Sequence, residues 1–400
     1  MSDRLRVLQV LEATEGGTRR HLLYLLERLP RDRFDLAAAV SLRRGARVFA
    51  RDAERLRAAG VRVHEVPMRR RIAPLADYVS LSKLRAVIAR EKPDVVHTHA
   101  SKAGFLGRAA ARLARVERVV HTGHVFAFQW ATGAKRRRYL ALERFAARWA
   151  DALVCVGPAQ HRTAIEAGLP AAKLVTIPNG VDAARFESLA APEARARVRA
   201  ELGLAGDARV VGTVARLAPQ KGCGHLMRAA RTVLERDPKA IFLLVGSGAL
   251  EAKLCAEADA LGLGERFRFL GERPDAERLY AAMDLFVMPS LWEGLPYAVL
   301  EAQASGLAVV ASRIPGLVDL VSDGETGRLI ELGDEKGLAG AILELLEDRA
   351  LAARMGAAGR ERVRTEFRLD RFIERHAALY AGETSRAELP LLAAEASRAL

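Results

Sequence analysis

The stretch LWEGLPYAVLEAQAS, residues 291–305, decides how this chain is read. It follows a short apolar run, Leu285–Met288, that reads as a buried strand ending at Pro289 and Ser290. Gly294 and Pro296 then break the chain. Tyr297–Ala304 reads as a helix with Pro296 at its first position, where a missing N–H costs nothing. The amides of Tyr297, Ala298 and Val299 would turn back into the preceding loop, beside Leu295, with the positive end of the helix dipole behind them. That is a seat for an anion such as a diphosphate. Glu293 stands just before the helix and Glu301 about one turn inside it, both able to accept hydrogen bonds from hydroxyls of the same bound molecule. Two carboxylates flanking a phosphate cradle suit a sugar nucleotide, whose diphosphate is the anion and whose sugar and ribose hydroxyls are donors. An ordinary strand–helix unit with two surface glutamates would carry the same letters, so the rest of the chain has to discriminate.

At 400 residues the chain exceeds one ordinary domain and fits two of about 180–200 residues. Half of its residues are apolar, enough for two cores. Three scattered cysteines, Cys155, Cys223 and Cys255, form neither a disulfide framework nor a metal cluster and predict a reducing cytoplasm. The opening MSDRLRVLQV runs straight into a strand with no secretory signal, and no apolar stretch approaches the ~18–20 residues that span a bilayer. Charge divides unevenly: residues 1–185 hold 35 Lys+Arg against 17 Asp+Glu, whereas residues 186–400 hold 28 against 32. The densest basic clusters lie at 69–71 and 135–138. Either cluster alone is accounted for by a solvated Arg-rich surface. The asymmetry between the halves predicts an anionic membrane surface as a partner, and a protein that is cytoplasmic or peripheral on the inner face of the membrane. Nucleic acid would attract the same charges, but no recognition module accompanies them and no nucleic-acid partner is expected.

Along the first half, apolar strands and amphipathic helices alternate. Strands are expected at Leu5–Leu11, Phe34–Val40, 61–66, 93–97, 116–121 and 152–156, which argues a parallel sheet covered on both faces. Ligands on such sheets sit beyond the strand C-termini. Gly16 and Gly17 open the first helix there, and glycines between strand and helix let backbone approach a phosphate. Four histidines also fall at these ends: His97, His99, His121 and His124. No cysteine or carboxylate lies at helpful spacing to them, so no zinc site is expected. Residues 126–148 interleave Phe126, Phe128, Trp130 and Tyr139 with the 135–138 cluster, a basic-aromatic pattern suited to lipid headgroups, while Leu142, Phe145 and Trp149 are spaced for core packing.

The second half repeats the alternation. After an apolar run at 210–214, ARLAPQKG places Arg216 and Lys221 five residues apart in a strand–helix loop, where two cations could bracket the phosphates of a leaving nucleoside diphosphate. LVGSG at 244–248 makes a glycine turn at Gly246, too short for a dinucleotide fingerprint, and 267–270 is a further strand ending at Leu270. The polar run 183–200 is expected to be the linker between domains.

These motifs carry a resemblance. The E-x7-E pair Glu293/Glu301 in EGLPYAVLEAQASGLAVVAS, the ARLAPQKG loop, GGTRRHLLYLLERL at 16–29, HTGHVF at 121–126 and NGVD at 179–182 resemble the GT-B glycosyltransferases of family 4, across roughly residues 5–380. The resemblance implies two Rossmann-like α/β domains with parallel sheets facing across a cleft. An acceptor-binding domain would span 1–185 and a donor-binding domain 186–367, followed by a helix at 368–382 crossing back to the first domain and a tail at 383–400. It implies retaining transfer from a nucleotide-sugar donor. Arg216 and Lys221 would stabilise the departing diphosphate, Glu293 would hold the sugar, and Glu301 the ribose. Gly16, Gly17, Gly246, Leu295, Tyr297 and Ala298 would line the donor, with Leu270 in the segment that reads the base. His124 would face the reacting sugar, and His97 and His99 would lie on the acceptor side.

No Asp-x-Asp pair occurs in the chain, so no metal and no other cofactor is expected. HASKAGFLG at 99–107 resembles enzymes that act on polyprenyl-diphosphate-linked sugars in surface-polysaccharide assembly, and a lipid-linked acceptor is therefore expected ahead of a soluble sugar. A nucleotide-sugar epimerase on the same fold stays open as an alternative. A nicotinamide oxidoreductase lacks its glycine fingerprint. A nucleic-acid binder would leave Glu293, Glu301, Arg216 and Lys221 without a purpose.

Overall fold

Two parallel sheets form, one in each of the units into which the chain divides: Met1–Asn179 with Asp370–Leu400, and Gly180–Leu369. The computed structural model describes residues 4–43 and 46–383. The first sheet holds β1 (Leu5–Leu11), β2 (Phe34–Val40), β3 (Arg62–Glu65), β4 (Val95–His99), β5 (Arg118–Thr122), β6 (Ala152–Cys155) and β7 (Leu174–Thr176), in the order β3-β2-β1-β4-β5-β6-β7. The second holds β8 (Arg209–Val214), β9 (Ala240–Val245), β10 (Phe267–Gly271), β11 (Leu285–Met288), β12 (Ala308–Ser312) and β13 (Gly327–Ile330), in the order β10-β9-β8-β11-β12-β13. These are doubly wound α/β sheets of the Rossmann kind. Their strands read as unbroken apolar runs because helices cover both faces: Val10, Val96, Val120, Val210, Leu285 and Val309 are all wholly buried.

In each sheet the winding direction reverses once, between β1 and β4 in the first and between β8 and β11 in the second. At such a reversal the connecting helices leave to opposite faces, and a crevice opens beyond the strand C-termini. The segments after β1, β8 and β11 carry Gly16, Gly17, Arg216, Lys221, Glu293 and Glu301. His97 and His99 end β4, and His124, Gly246 and Leu270 lie after β5, after β9 and in β10.

The helix Leu369–Ala381 returns to the first unit, as the resemblance implies. The Tyr380 hydroxyl accepts a hydrogen bond from Gln9 Nε2 at 3.0 Å and meets His97 Nδ1 at 2.6 Å, while Arg118 donates to the carbonyls of Leu379 and Tyr380 at 3.2 and 2.8 Å.

Three local expectations are refined or overturned. The run 183–200, expected to be the linker, folds as two helices, Ala183–Leu189 and Pro192–Glu201, with Asp182 capping the first through the Arg185 amide at 3.2 Å. Arg195 and Arg199 reach Asp284 at 2.6 and 3.4 Å, so this segment belongs to the second unit, and the division falls between Asn179 and Gly180, close to the expected 185. Pro296 is the N-cap of the helix Tyr297–Ala304, not its first residue; its carbonyl accepts the Val299 amide at 3.2 Å, which removes that amide from the anion seat. Phe145 and Trp149 do not fill the core. Alanines 146, 147 and 150 take the buried positions near Leu153 and Cys155, leaving Phe145 44% exposed and edge-on to Trp149 at 4.8 Å. The tail lies, from residue 384 on, outside the described residues.

Candidate functional site

In the second unit, the loops after β8 and β11 meet at the reversal point. Leu291 N donates to Gln220 O at 2.7 Å, and Gln220 Nε2 donates to Trp292 O at 2.9 Å and to Glu293 Oε2 at 3.3 Å. Lys221 Nζ lies 2.6 Å from Glu293 Oε1, the lysine largely and the carboxylate almost wholly buried. At that distance in a shielded site the pair is a charge-assisted hydrogen bond that fixes both side chains. Glu293 keeps further lone pairs for a hydroxyl, and the ammonium keeps two more N–H groups for an anion. Arg216 shares the Lys221 loop and is partly buried.

Glu301 is buried inside its helix, and Tyr280 donates its hydroxyl to Oε2 at 2.8 Å. Leu295 and Tyr297 are buried and Ala298 partly so, at the turn into that helix. Leu270 sits where the pairing of β10 with β9 slips register, a bulge that turns its backbone away from the ladder.

Two glycines set the spacing of these loops. Gly222 adopts φ +63°, and a Cβ there would collide with the Pro289 carbonyl; Gly246, at φ +134°, passes equally close to the carbonyl of Ala215. Both hold the cationic loop against its neighbours. Gly222→Ala is expected to push Lys221 off Glu293 and lower kcat/KM by about 10²-fold, the cost of an ångström-scale misplacement. Steady-state kinetics with a melting curve would check this.

In the first unit, five histidines converge beyond β1, β4 and β5. His21, on the helix Gly16–Arg28, meets His124 edge-on at 4.7 Å and His99 at 5.3 Å, and His376 lies 5.5 Å from it. His97 is wholly buried with Nδ1 on the Tyr380 hydroxyl and Nε2 on Thr122 Oγ1 at 2.8 Å, so no ring nitrogen is left for an acceptor; it braces the cluster. His99 Nε2 meets Gln9 Oε1 at 2.8 Å and its Nδ1 lies 3.3 Å from His124 Nε2. Gly16 and Gly17 are exposed at the start of the helix that carries His21, Gly16 with φ +58°.

His124 has φ +55° and Ala100, just after His99, φ +56°; both lie where side chains other than glycine's are strained. Gln160 holds the His124 loop, donating from Nε2 to the His124 carbonyl at 2.9 Å and accepting the Val156 amide on Oε1 at 2.7 Å. Burial, then His376, holds the His124 imidazole down to about 3, and burial holds His376 down to about 4. His21, His97, His99 and His121 lie well below the usual histidine range, burial again being the largest cause. Neutral rings orient hydroxyls; they are not acids near pH 7.

Gln220, Tyr280, Gln160 and His21 escaped the sequence reading. Gln220 stood inside the quoted ARLAPQKG, and its signal was its place beside Lys221. Tyr280, Gln160 and His21 act through partners distant in the chain and left no local signal. A cleft of about 740 Å3, lined by Arg85, Lys92, Asp94 and Arg115, lies at the opposite edge of the first sheet, by the starts of β4 and β5, away from all these loops.

Residues 194–362 match the family model Glycosyl transferases group 1, and residues 16–180 match Glycosyl transferase 4-like domain. The chain is 36% identical over 347 residues to a UDP-Gal:alpha-D-GlcNAc-diphosphoundecaprenol alpha-1,3-galactosyltransferase of Escherichia coli, across 84% of this chain and 86% of that protein. It is 34% identical to a GDP-mannose-dependent alpha-(1-6)-phosphatidylinositol monomannoside mannosyltransferase of Mycolicibacterium smegmatis, across 70% of this chain and 74% of that one. Among solved structures it resembles Anabaena Alr3699/HepE in complex with UDP-glucose, with a TM-score of 0.81 at 25% identity over 95% of this chain and 100% of that one. WaaG, a glycosyltransferase involved in lipopolysaccharide biosynthesis, shares the fold with a TM-score of 0.75 at 16% identity, over 94% and 100% of the two chains. With family matches in both units, two doubly wound sheets and a relative this similar along most of its length, the chain belongs to the group 1 glycosyltransferases, of the GT-B fold and family 4 type.

Proposed function

We propose that the chain moves a hexose from UDP to a hydroxyl of a lipid-linked diphosphate saccharide, with retention of configuration and without a metal. The observation that carries this reading is the buried Lys221–Glu293 pair at the reversal of the second sheet, where a cation for the diphosphate and a carboxylate for the sugar are locked together. The acceptor hydroxyl attacks the anomeric carbon on the face from which the diphosphate leaves, the bond to the phosphate oxygen breaks, and a phosphate oxygen takes the hydroxyl proton. Lys221, Arg216 and the amides at the start of Tyr297–Ala304 meet the growing negative charge, supplying what a metal clamp would otherwise bring. Glu293 holds the sugar. Glu301, aimed by Tyr280, holds the ribose. Gly16, Gly17, Gly246, Leu270 and Leu295 approach the donor through backbone. His124 orients the reacting sugar, and His99, buried with Nε2 on Gln9 and Nδ1 facing His124, positions that ring from the acceptor side. The UDP and lipid-linked assignments are supported by the galactosyltransferase relative and by the UDP-glucose complex of the structural neighbour.

Membrane contact is part of the proposal. No helix among the described residues is long and apolar enough to cross a membrane. Arg69, Arg70 and Arg71 are exposed beside Leu75 and Tyr78, which are 87% and 70% exposed, and Lys135 stacks over Trp130 at 4.8 Å. Cations next to exposed apolar side chains fit an anionic lipid surface.

Melting curves with UDP, GDP, ADP and TDP in EDTA test the donor. A shift of about 5–10 °C with UDP at a hundredfold excess over Kd is expected, weakened in Glu301→Ala. No shift with any nucleotide would defeat the reading. Vesicles of anionic lipid should sediment the protein at low salt and release it at high salt; no binding at low salt would remove the membrane claim.

A further inference from the structure

The three histidines that converge from separate elements of the first unit do more than pack. We propose that His21 Nε2, His99 Nδ1 and His124 Nε2 form a three-imidazole site for a divalent transition cation of the Zn2+ class, and that a cation held there withdraws His124 from the sugar. The second clause rests on the transferase reading above; the first does not.

One ring nitrogen from each of the three histidines lies within 4.8 Å of the other two. His99 Nδ1 and His124 Nε2 are 3.3 Å apart, and two nitrogens bound to one tetrahedral zinc at ~2.0–2.1 Å are separated by about the same distance. His21 brings in its nitrogen from at most 4.8 Å to complete the set. Its Nδ1 meets Asn179 Oδ1 at 3.0 Å, an atom that only accepts, so the ring proton is on Nδ1 and Nε2 carries a lone pair. That Nε2 is buried with no hydrogen-bond partner, in a residue that is wholly buried.

The same logic applies to His99. Its Nε2 donates to Gln9 Oε1 at 2.8 Å, which leaves the Nδ1 lone pair facing the site. Amide oxygens on the far nitrogens of two rings are the outer contacts that orient metal-bound histidines. His124 now points an N–H at His99, and its proton would move to Nδ1 on binding. Burial keeps the rings in the neutral form that ligates. An all-nitrogen set with a fourth position open suits zinc, cobalt or copper and not magnesium or calcium, which take oxygen. The spacing of these histidines along the chain predicts no zinc. The site exists only because a helix, the end of β4 and the loop after β5 meet.

The test uses the full chain, stripped with chelator and free of nucleotide, titrated with Co2+ and then Zn2+. One equivalent of Co2+ with the absorption of a four-coordinate site, and no thiolate charge-transfer band, is expected. The spectrum should vanish in His21→Phe, weaken about tenfold in affinity in Asn179→Ala and stay in His64→Ala. No such spectrum in the wild type, or its survival in His21→Phe, overturns the site; if His21→Phe does not fold, His99→Gln is read in its place. In a transfer assay, Zn2+ should slow the wild type more than tenfold, with recovery in EDTA, and leave His21→Phe unaffected. Stoichiometric binding with full activity would overturn the claim on His124, whereas a metal-free protein with no transfer at all would count against the proposed function and not against the site.

Discussion

Lys221→Ala is expected to lower kcat by about 10²–10³-fold, the usual cost of removing one preorganised group that meets charge only in the transition state. The substitution deletes the ammonium proposed to meet the departing diphosphate. It also leaves Glu293 buried with Gln220, at 3.3 Å, as the contact that remains from this loop. The second effect could lower activity by disordering the loop. A double variant, Lys221→Met with Glu293→Gln, separates the two, because it removes both charges without stranding either. It should melt near the wild-type temperature and still be as slow as the single variant, since groups that act as a unit do not add. A folded Lys221→Ala protein with near-normal kcat would end the assignment of Lys221 to the leaving group.

Glu143→Ala is expected to destabilise the first unit by about 3–5 kcal/mol, because it strands a buried charge. Arg108, on the helix Ser101–Leu113, is wholly buried. Its guanidinium meets Glu143 Oε1 at 2.9 Å and its Nε donates to the Gly104 carbonyl at 2.8 Å. His121 lies 3.8 Å from the same carboxylate oxygen, and burial followed by Arg108 holds its imidazole low, so it cannot take over as a charged partner. For a unit of this size that is a fall in melting temperature of about 10 °C. Replacing both partners, Arg108→Met with Glu143→Leu, should recover most of it, since an apolar pair of similar volume avoids the desolvation cost. A shift of only about 1 °C in Glu143→Ala would show that water reaches the guanidinium.

Much of the second unit could be read along the chain because its chemistry is local. Arg216, Gln220 and Lys221 share one loop, and Glu293 through Glu301 one turn and one helix, so the spacing of letters is also the spacing of side chains. The first unit hid more. His97 sits in the same strand as His99, and the letters HTH treat them alike. Alternation along a strand would put both on one face, yet the fold gives His97 to Tyr380 and Thr122 and turns His99 toward Gln9 and His124. Arg195 and Arg199 read as polar linker because nothing near them in sequence showed Asp284, some 85 residues on.

The sequence by itself determined the α/β class of fold and a chain length sufficient for two units. The resemblance its motifs carry implied the returning helix and pointed to the cationic and carboxylate loops. The first two follow from apolar periodicity and length, and the motifs from residues a few positions apart; periodicity and motif are short-range properties of a chain. Tertiary structure alone decided which groups are paired and which are spent. The lock of Lys221 on Glu293, the buried Arg108–Glu143 pair and the meeting of His21, His99 and His124 each join segments that the winding of a parallel sheet brings together. A parallel sheet must cross over between neighbouring strands, so partners at its C-terminal edge lie tens of residues apart, and no local pattern records them.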